Sequence, residues 1–315
     1  MFAVAEAFTI RESRRSGRGI FAQRPLPSGT VFWKERPLAA VSKQVDDGLR
    51  CDHCFVLFSG KQLKRFQLPD AAVDPSSVHA CAGHDADESC GTLSRYCSAD
   101  CKTQSYEAHH SIVCKLGQPG ERLLEYCAAH NVRYPLIARD LVAGSLLSGK
   151  EFMPYWARIN ALCYATPLEE EGDTDVKDPS WEEEYGLLAE AYRYILGEDA
   201  FTKIFSAVLD YSFYEALMRR LHINMMRLSS PSHAPAIALF HTASLLNHSC
   251  VPNVTVDFSC GEATFSTSRD VETGEELSLC YLAEPGAMSV EDRVEELYTN
   301  YGFRCNCPMC APAAN

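Results

Sequence analysis

Two hydrophobic periods divide this chain. Val254, Val256 and Phe258 take turns with Asn253, Thr255 and Asp257, the two-residue period of a half-buried strand. Ala263 to Thr267 and Leu277 to Leu282 continue in the same style, separated by Glu272-Thr273-Gly274-Glu275. Near the N-terminus, Val31 to Trp33 is rich in strand formers. It follows Gly17-Arg18-Gly19 and Pro27-Ser28-Gly29, where glycine allows sharp turns and close backbone approach. The first 40 residues therefore read as short strands joined by turns. Over residues 120–225 the period changes. Phe201, Ile204, Phe205, Val208 and Leu209 fall at i, i+3, i+4, i+7 and i+8, the apolar stripe of a helix, and Leu187, Leu188, Tyr192 and Ile195 make a weaker one. Between them and the upstream helices, Glu169 to Glu184 carries nine acidic residues and one Lys, broken by Gly172 and Pro179. That run reads as a solvated loop, with an acidic rim for a basic substrate as the sharper alternative. The pattern as a whole predicts an α+β chain: strands at both ends and a long helical insert between them.

Length and composition narrow this picture. At roughly 100–200 residues per domain, 315 residues suggest about two domains. With 46% hydrophobic and 23% charged residues, the chain can bury a sizeable core, which excludes global disorder. No apolar run approaches the ~18–20 residues of a membrane span. The start, Met1-Phe2-Ala3-Val4-Ala5-Glu6, lacks the basic region of a signal peptide. An intracellular chain with no membrane partner is expected, in the nucleus, the cytoplasm or both. Arg14-Arg15-Ser16-Gly17-Arg18 is too short a basic run to decide between them. A net charge of −13 argues against direct nucleic-acid binding by the whole surface, because phosphate neutralisation needs a basic face. The same charge suits basic partners such as lysine-rich peptides.

The 15 cysteines change the picture most. At about 5% of the chain they fall below the ~8–10% of a disulfide scaffold, and clusters in a reducing compartment usually hold metal. The first cluster comprises Cys51-x2-Cys54, Cys81, Cys90, Cys97-x3-Cys101 and His110-x3-Cys114. A CxxC turn points two thiolates at one ion. Cys97 and Cys101, and likewise His110 and Cys114, are i,i+4 and would share a helix face. Zinc takes four S or N ligands, so these eight groups make two sites. His84 is an alternative to Cys90, and His109 to His110. The second cluster is Cys305-Asn306-Cys307-Pro308-Met309-Cys310. It lacks a local fourth ligand, and Cys250, in Asn247-His248-Ser249-Cys250, is the candidate. Cys127, Cys163, Cys260 and Cys280 have no partner at ligand spacing and are assigned to the core.

In combination, these motifs resemble the SET and MYND (SMYD) family of protein-lysine methyltransferases. Gly17-Arg18-Gly19 resembles the cofactor-binding glycine motif of SET domains. Asn247-His248-Ser249-Cys250-x-Pro252-Asn253 resembles their NHSCxPN signature, and Gly274-Glu275-Glu276-Leu277 followed by Tyr281 their GEEL…Y strand. Tyr301-x-Phe303-x-Cys305-x-Cys307-x2-Cys310 resembles the post-SET zinc tail. Cys51-x2-Cys54, Tyr96-Cys97-Ser98-x2-Cys101 and Tyr106-x2-His109-His110-x3-Cys114 resemble a MYND zinc finger that splits the SET motifs. The middle pair departs from the family by its Cys81-x8-Cys90 spacing, and Tyr106 stands where tryptophan is usual.

The resemblance implies a SET-domain β-fold with a knot-like crossing near residue 247. On it the segments are 1–50 SET N-terminal part, 51–114 finger, 115–225 helical insert, 226–300 SET core and 301–315 zinc-bound tail. It implies three zinc ions: one on Cys51, Cys54, Cys97 and Cys101, one on Cys81, Cys90, His110 and Cys114, and one on Cys250, Cys305, Cys307 and Cys310. It implies S-adenosylmethionine beside Arg18, Gly19, Asn247, His248, Tyr281 and Phe303, with Tyr281 the catalytic residue. Tyr301 and Asn224 would line the lysine channel. The substrate would be a lysine-containing protein or peptide, histone or not, in a chromatin or other setting, and the finger would bind a partner peptide. Longer members add a C-terminal helical-repeat domain, so a more open cleft is expected where only five residues follow Cys310. The alternative is a non-catalytic scaffold that recruits partners through the finger. Retention of Gly19, Asn247, His248 and Tyr281 argues against it.

Overall fold

A computed structural model describes residues 7–13, 17–42, 50–58, 78–81, 94–164, 180–206, 208–228 and 233–311. The N-terminal strands are β1 (Phe8–Ser13), β2 (Gly17–Ala22), β3 (Val31–Glu35) and β4 (Ala39–Ser42). β5 (His79–Ala80) pairs antiparallel with β6 (Arg95–Tyr96). Helix α1 (Ala99–Ser105) follows, capped by the Ser98 hydroxyl on the Cys101 N–H, and runs through a π-helical turn over Tyr106–His110 into α2 (Ser111–Val113). The helical insert comprises α3 (Gly117–Ala129), α4 (Tyr134–Leu147), α5 (Phe152–Asn160), α6 (Ser180–Phe205) and α7 (Tyr211–Asn224). The chain then returns to strands: β7 (Met225–Leu228), β8 (Ala236–Leu239), β9 (Asn247–His248), β10 (Val254–Ser259), β11 (Glu262–Thr267) and β12 (Glu276–Leu279). α8 (Val290–Tyr301) leads to the cysteine tail, and ends on Gly302 at φ 74°, a left-handed cap that glycine adopts without strain.

Strands far apart in sequence share sheets. One runs β1-β2-β12-β9, one β10-β11-β3 and one β4-β8-β7. All pairs are antiparallel except β9 with β12, where Asn247 faces Ser278 and His248 faces Leu279. β8 is buried at all four positions, as expected of a central strand covered on both faces. On one side lies the helical core, with Leu123, Ile137, Leu141, Trp156, Tyr192 and Leu221. On the other lies the sheet core, with Ile20, Leu26, Phe240, Phe265 and Leu277. The cysteine segment 50–58 is joined to this second core. Phe55 stacks on Phe258 with ring centroids 6.1 Å apart, and its carbonyl accepts the Ala234 N–H at 2.8 Å. Gly261, at φ 77°, leaves room for the His53 ring, into which any Cβ would run.

Several expectations are corrected. α6 is broken at Gly197 (φ 71°, ψ 165°) and ends at Phe205, so Val208 and Leu209 lie past the helix rather than on its stripe. Leu209 is still buried, because the chain turns back over the same apolar surface. Glu184, counted in the solvated acidic run, is only 3% exposed and accepts the Tyr214 hydroxyl at 3.0 Å; residues 165–179 lie outside the described residues. Cys97 precedes α1 rather than sharing its face with Cys101, although the sulfurs are 3.5 Å apart. Cys127 is buried as assigned, but Cys163 and Cys260 are exposed. Cys260 sits at φ 50° in the β10–β11 turn, where no core can reach it. No helix among the described residues is long and apolar enough to cross a membrane.

Candidate functional site

The parallel pairing of β9 with β12 brings two distant motifs together. Asn253 is 1% exposed and locks them: its amide donates to the Glu276 carbonyl at 2.8 Å and to Glu275 Oε1 at 3.1 Å, while its Oδ1 accepts the Ser278 N–H at 2.8 Å. Glu276 faces the other way. Its Oε1 accepts the Asn247 amide at 2.7 Å, and its Oε2 the Ser13 hydroxyl at 3.1 Å. Asn247 also donates to the Arg18 carbonyl at 3.1 Å, so the glycine motif and β9 touch through one side chain. Gly19 makes this contact possible: a Cβ there would lie 2.5 Å from Glu276 Oε1 and 2.8 Å from Asn247 Nδ2. Gly19→Ala is therefore expected to displace Asn247 and weaken binding of a ligand in the adjoining cavity by about tenfold or more, roughly one lost charge-assisted hydrogen bond. Calorimetric titration of the folded variant checks this.

That cavity, of about 670 Å³, is lined among others by Arg18, Asn247, His248, Tyr281, Tyr301 and Phe303. The Arg18 guanidinium donates to the Ala161 carbonyl, tying β2 to the C-terminal end of α5. His248 Nδ1 accepts the Tyr281 N–H at 3.0 Å, and its Nε2 lies 3.2 Å from Cys250 Sγ. Burial lowers its pKa to about 4, so the ring is neutral at physiological pH, with its proton on Nε2. The Tyr281 hydroxyl donates to the Leu246 carbonyl at 2.6 Å. Burial raises the phenol pKa, followed by the neighbouring Tyr301, so Tyr281 is a neutral phenol rather than a base. Three rings form an aromatic corner: Tyr281 to Tyr301 is 5.0 Å, and each is 6.3 Å from Phe303. Asn224, at the end of α7, also lines the cavity, but its amide clasps the carbonyls of Cys163 and Arg220, both at 2.8 Å.

Among the described residues, cysteines and one histidine gather as three groups whose ligand atoms lie within 4.8 Å of one another: Cys51, Cys54, Cys97 and Cys101; Cys81, His110 and Cys114; and Cys250, Cys305, Cys307 and Cys310. A Zn–S bond of about 2.3 Å puts tetrahedral thiolates about 3.8 Å apart. Cys54 and Cys97 are 3.5 Å apart, Cys81 and Cys114 3.6 Å, Cys250 and Cys310 3.6 Å, and Cys250 and Cys305 4.0 Å. These are tetrahedral edges, not disulfides. Hydrogen bonds from Cys101, Cys54 and Cys97 hold the Cys51 thiol well below its ordinary pKa, while those three are raised. In the tail, burial opposes ionisation of Cys307, but N–H groups of Cys250, Met309 and Cys310 and the Cys305 thiol outweigh it and bring it to about 7. In these two groups one lowered thiol stands among raised ones, which is what packed thiols sustain without a cation; a divalent ion would let more of them ionise. The donor sets fit zinc. His110 Nε2 is 3.2 Å from Cys81 Sγ, whereas His109 Nε2 is 3.9 Å from Asp140, which favours His110 as the ligand. Cys90 and its alternative His84 lie outside the described residues.

Some residues that build the site carried no sequence signal. Glu35 closes β3 and accepts the N–H groups of His241 and Thr242 on Oε1 and of Ala243 on Oε2, at 2.9–3.0 Å, fixing the turn into the Leu246 carbonyl. Burial raises its pKa in spite of these bonds. Arg293, 4% exposed on α8, donates to Cys310 Sγ at 3.4 Å and to the carbonyls of Pro285, Met288 and Met309 at 2.7–3.0 Å. Neither belongs to a short motif, and their partners are remote in sequence or irregular in conformation.

Comparison with known proteins agrees with this geometry. The family model "SET domain" matches residues 17–282. A SET and MYND domain-containing protein of Dictyostelium discoideum is 26% identical over 69% of this chain and 63% of its own length. The histone-lysine N-methyltransferase SET5 of Meyerozyma guilliermondii is 26% identical over 97% of this chain and 63% of its own. The human protein-lysine N-methyltransferase SMYD4 is 39% identical over a quarter of this chain and 10% of its own. The chain thus spans about 63% of the first two relatives. With its model match running from the glycine motif to just past Tyr281, the chain belongs to the SET domain family as an SMYD-like member.

Proposed function

We propose that this protein is an S-adenosylmethionine-dependent protein-lysine N-methyltransferase, with residues 51–114 a MYND-type finger that binds a partner peptide. The segment limits 1–50, 115–225, 226–300 and 301–315, the knot-like crossing near residue 247 and a post-SET zinc on Cys250, Cys305, Cys307 and Cys310 belong to the same proposal. One observation carries it: Tyr281, with its hydroxyl on the Leu246 carbonyl at 2.6 Å, shares a cavity with Asn247, His248, Tyr301 and Phe303.

When bound, S-adenosylmethionine supplies an electrophilic sulfonium methyl. The chain's residues do the rest. Asn247 and His248, fixed by Glu276 and by the Tyr281 N–H, would hold the cofactor through side-chain and backbone hydrogen bonds, with Phe303 and Arg18 completing its pocket. Tyr301 and Tyr281 line the path of the lysine. A lysine of ordinary pKa ~10.4 is protonated in water, and only the neutral amine attacks. The aromatic corner, poor in water, disfavours the ammonium form. The ring faces also attract a cation in transit. The Tyr281 phenol, kept neutral, orients the methyl acceptor through its oxygen and excludes water; it takes no proton. In-line positioning then supplies much of the rate.

The test is methyl transfer from labelled S-adenosylmethionine by the zinc-loaded chain into histones and a lysine-rich cell extract, with hydrolysis to identify methyl-lysine. Label on lysine is the expected result. A zinc-loaded chain that neither binds the cofactor nor transfers label would turn the reading to the non-catalytic scaffold.

A further inference from the structure

A second cleft, of about 430 Å³, lies against the first. The two share His222, Asn300 and Tyr301 in their walls, so Tyr301 stands between them. The second cleft contains neither Asn247 nor His248 among its lining residues. Its floor comes from the β7–β8 pair, where Arg227 faces Ile237 in register. Side chains alternate along a strand, so Met225 and Arg227 point to the same face, and both line this cleft. Arg133 lines it from the start of α4, its guanidinium pinned by the carbonyls of Cys127 at 2.9 Å and Val132 at 2.7 Å. Glu296 is the one carboxylate among the described lining residues.

The cleft is therefore locally cationic on a chain whose net charge is −13. Arg227 is exposed on an edge strand, and among the described residues it forms no salt bridge or side-chain hydrogen bond. Burial raises the phenol pKa of both Tyr134 and Tyr301, and the Arg227 charge opposes that rise in each. Arg227 shares the wall of this cleft with Tyr301, the ring that divides the two clefts. A long basic peptide would be drawn to the molecule by its overall charge, yet would meet Arg227 at this point. A carboxylate would be welcome there.

Resting on the lysine methyltransferase reading, we propose that this cleft receives the target peptide and that Arg227 selects lysines with an acidic side chain within a few residues. Arg227 acts as a specificity residue, offering a planar guanidinium to a carboxylate that lies beside the lysine entering past Tyr301. The acidic neighbour does not take part in the transfer.

The experiment uses the zinc-loaded full chain with saturating S-adenosylhomocysteine. Fluorescent peptides identical except for Glu, Gln or Lys two positions to either side of one lysine are titrated by anisotropy at low and moderate salt. The Glu peptides are expected to bind about fivefold or more tighter than the Gln peptides, and the Lys peptides more weakly still. The difference should shrink as salt rises. Arg227→Gln should remove the preference and Arg227→Glu should reverse it, with cofactor affinity unchanged in both. Equal binding of the three peptides, no peptide binding by a chain that binds cofactor, or an unchanged preference in Arg227→Glu overturns the inference. Methyl transfer into cell extract is run on the same preparations. Transfer without an acidic preference defeats this inference alone, whereas absence of both transfer and cofactor binding defeats the reading beneath it.

Discussion

Tyr281→Phe should lower the rate of lysine methylation by about 100-fold or more, the scale of losing one preorganised polar group at a reacting centre. Its affinity for S-adenosylmethionine and its zinc content should be close to wild type. The split follows from the contacts. Tyr281 holds His248 through its backbone N–H, which the substitution keeps. What it loses is the hydroxyl on the Leu246 carbonyl. The phenyl ring still fills the aromatic corner with Tyr301 and Phe303, so packing changes little. Single-turnover kinetics with labelled cofactor, beside calorimetric binding and metal analysis, measures the three quantities. A variant that transfers methyl at the wild-type rate would remove Tyr281 from the chemistry. A variant that loses zinc or cofactor would mean that the hydroxyl braces the fold instead.

The second large effect concerns the tail. Cys310→Ser should release one zinc per chain while the finger groups stay loaded, and should weaken cofactor binding by tenfold or more. Cys250, Cys305, Cys307 and Cys310 form one group with Leu282 and Leu297, and Phe303 and Tyr301 pack against it. Without metal the thiols repel further ionisation, and residues after α8 regain chain entropy of ~1–2 kcal/mol each. The aromatic contacts of Phe303 with His248 and Tyr281, worth ~1 kcal/mol apiece, are lost with the order. About 1.4 kcal/mol is already tenfold. Metal content by mass spectrometry of the native protein, read beside cofactor titration, tests both halves. Full zinc content would show that the three remaining thiolates suffice. Lost zinc with unchanged cofactor affinity would separate the tail from the pocket.

Local chemistry was legible wherever the chain carries its partners close by. The CxxC at Cys51, the Cys305-to-Cys310 run and the alternating Val254, Val256 and Phe258 state their roles in a few residues. Helix spacing predicted a helical insert, and α3 to α7 occupy it. The break at Gly197 and the burial of Glu184 were hidden, because an exposed and a buried Glu look the same until Tyr214 is placed beside it. Glu35 and Arg293 were hidden for a related reason. Apart from Cys310 Sγ beside Arg293, their partners are backbone groups, which every residue has, so no side-chain pattern marks them.

The sequence by itself marked the candidates for chemistry: the cysteines by their spacing, and the Asn247-His248-Ser249-Cys250 segment, Tyr281 and the glycine motif by their resemblance to SET-domain motifs. Residue type and short spacing suffice to mark the metal ligands, since a metal chooses its donors by atom. Only the tertiary structure decided which of them meet. The parallel β9–β12 pair joins residues about 30 apart, and Asn247 reaches back to Arg18 across more than 220. Such contacts come from sheet register and core burial, which the whole chain sets together. The placing of His110 rather than His109 next to Cys81, and of Arg227 in one cleft with Tyr301, belongs to the same level. Each depends on which way a side chain faces once two packed elements have closed on each other, and no local pattern encodes that.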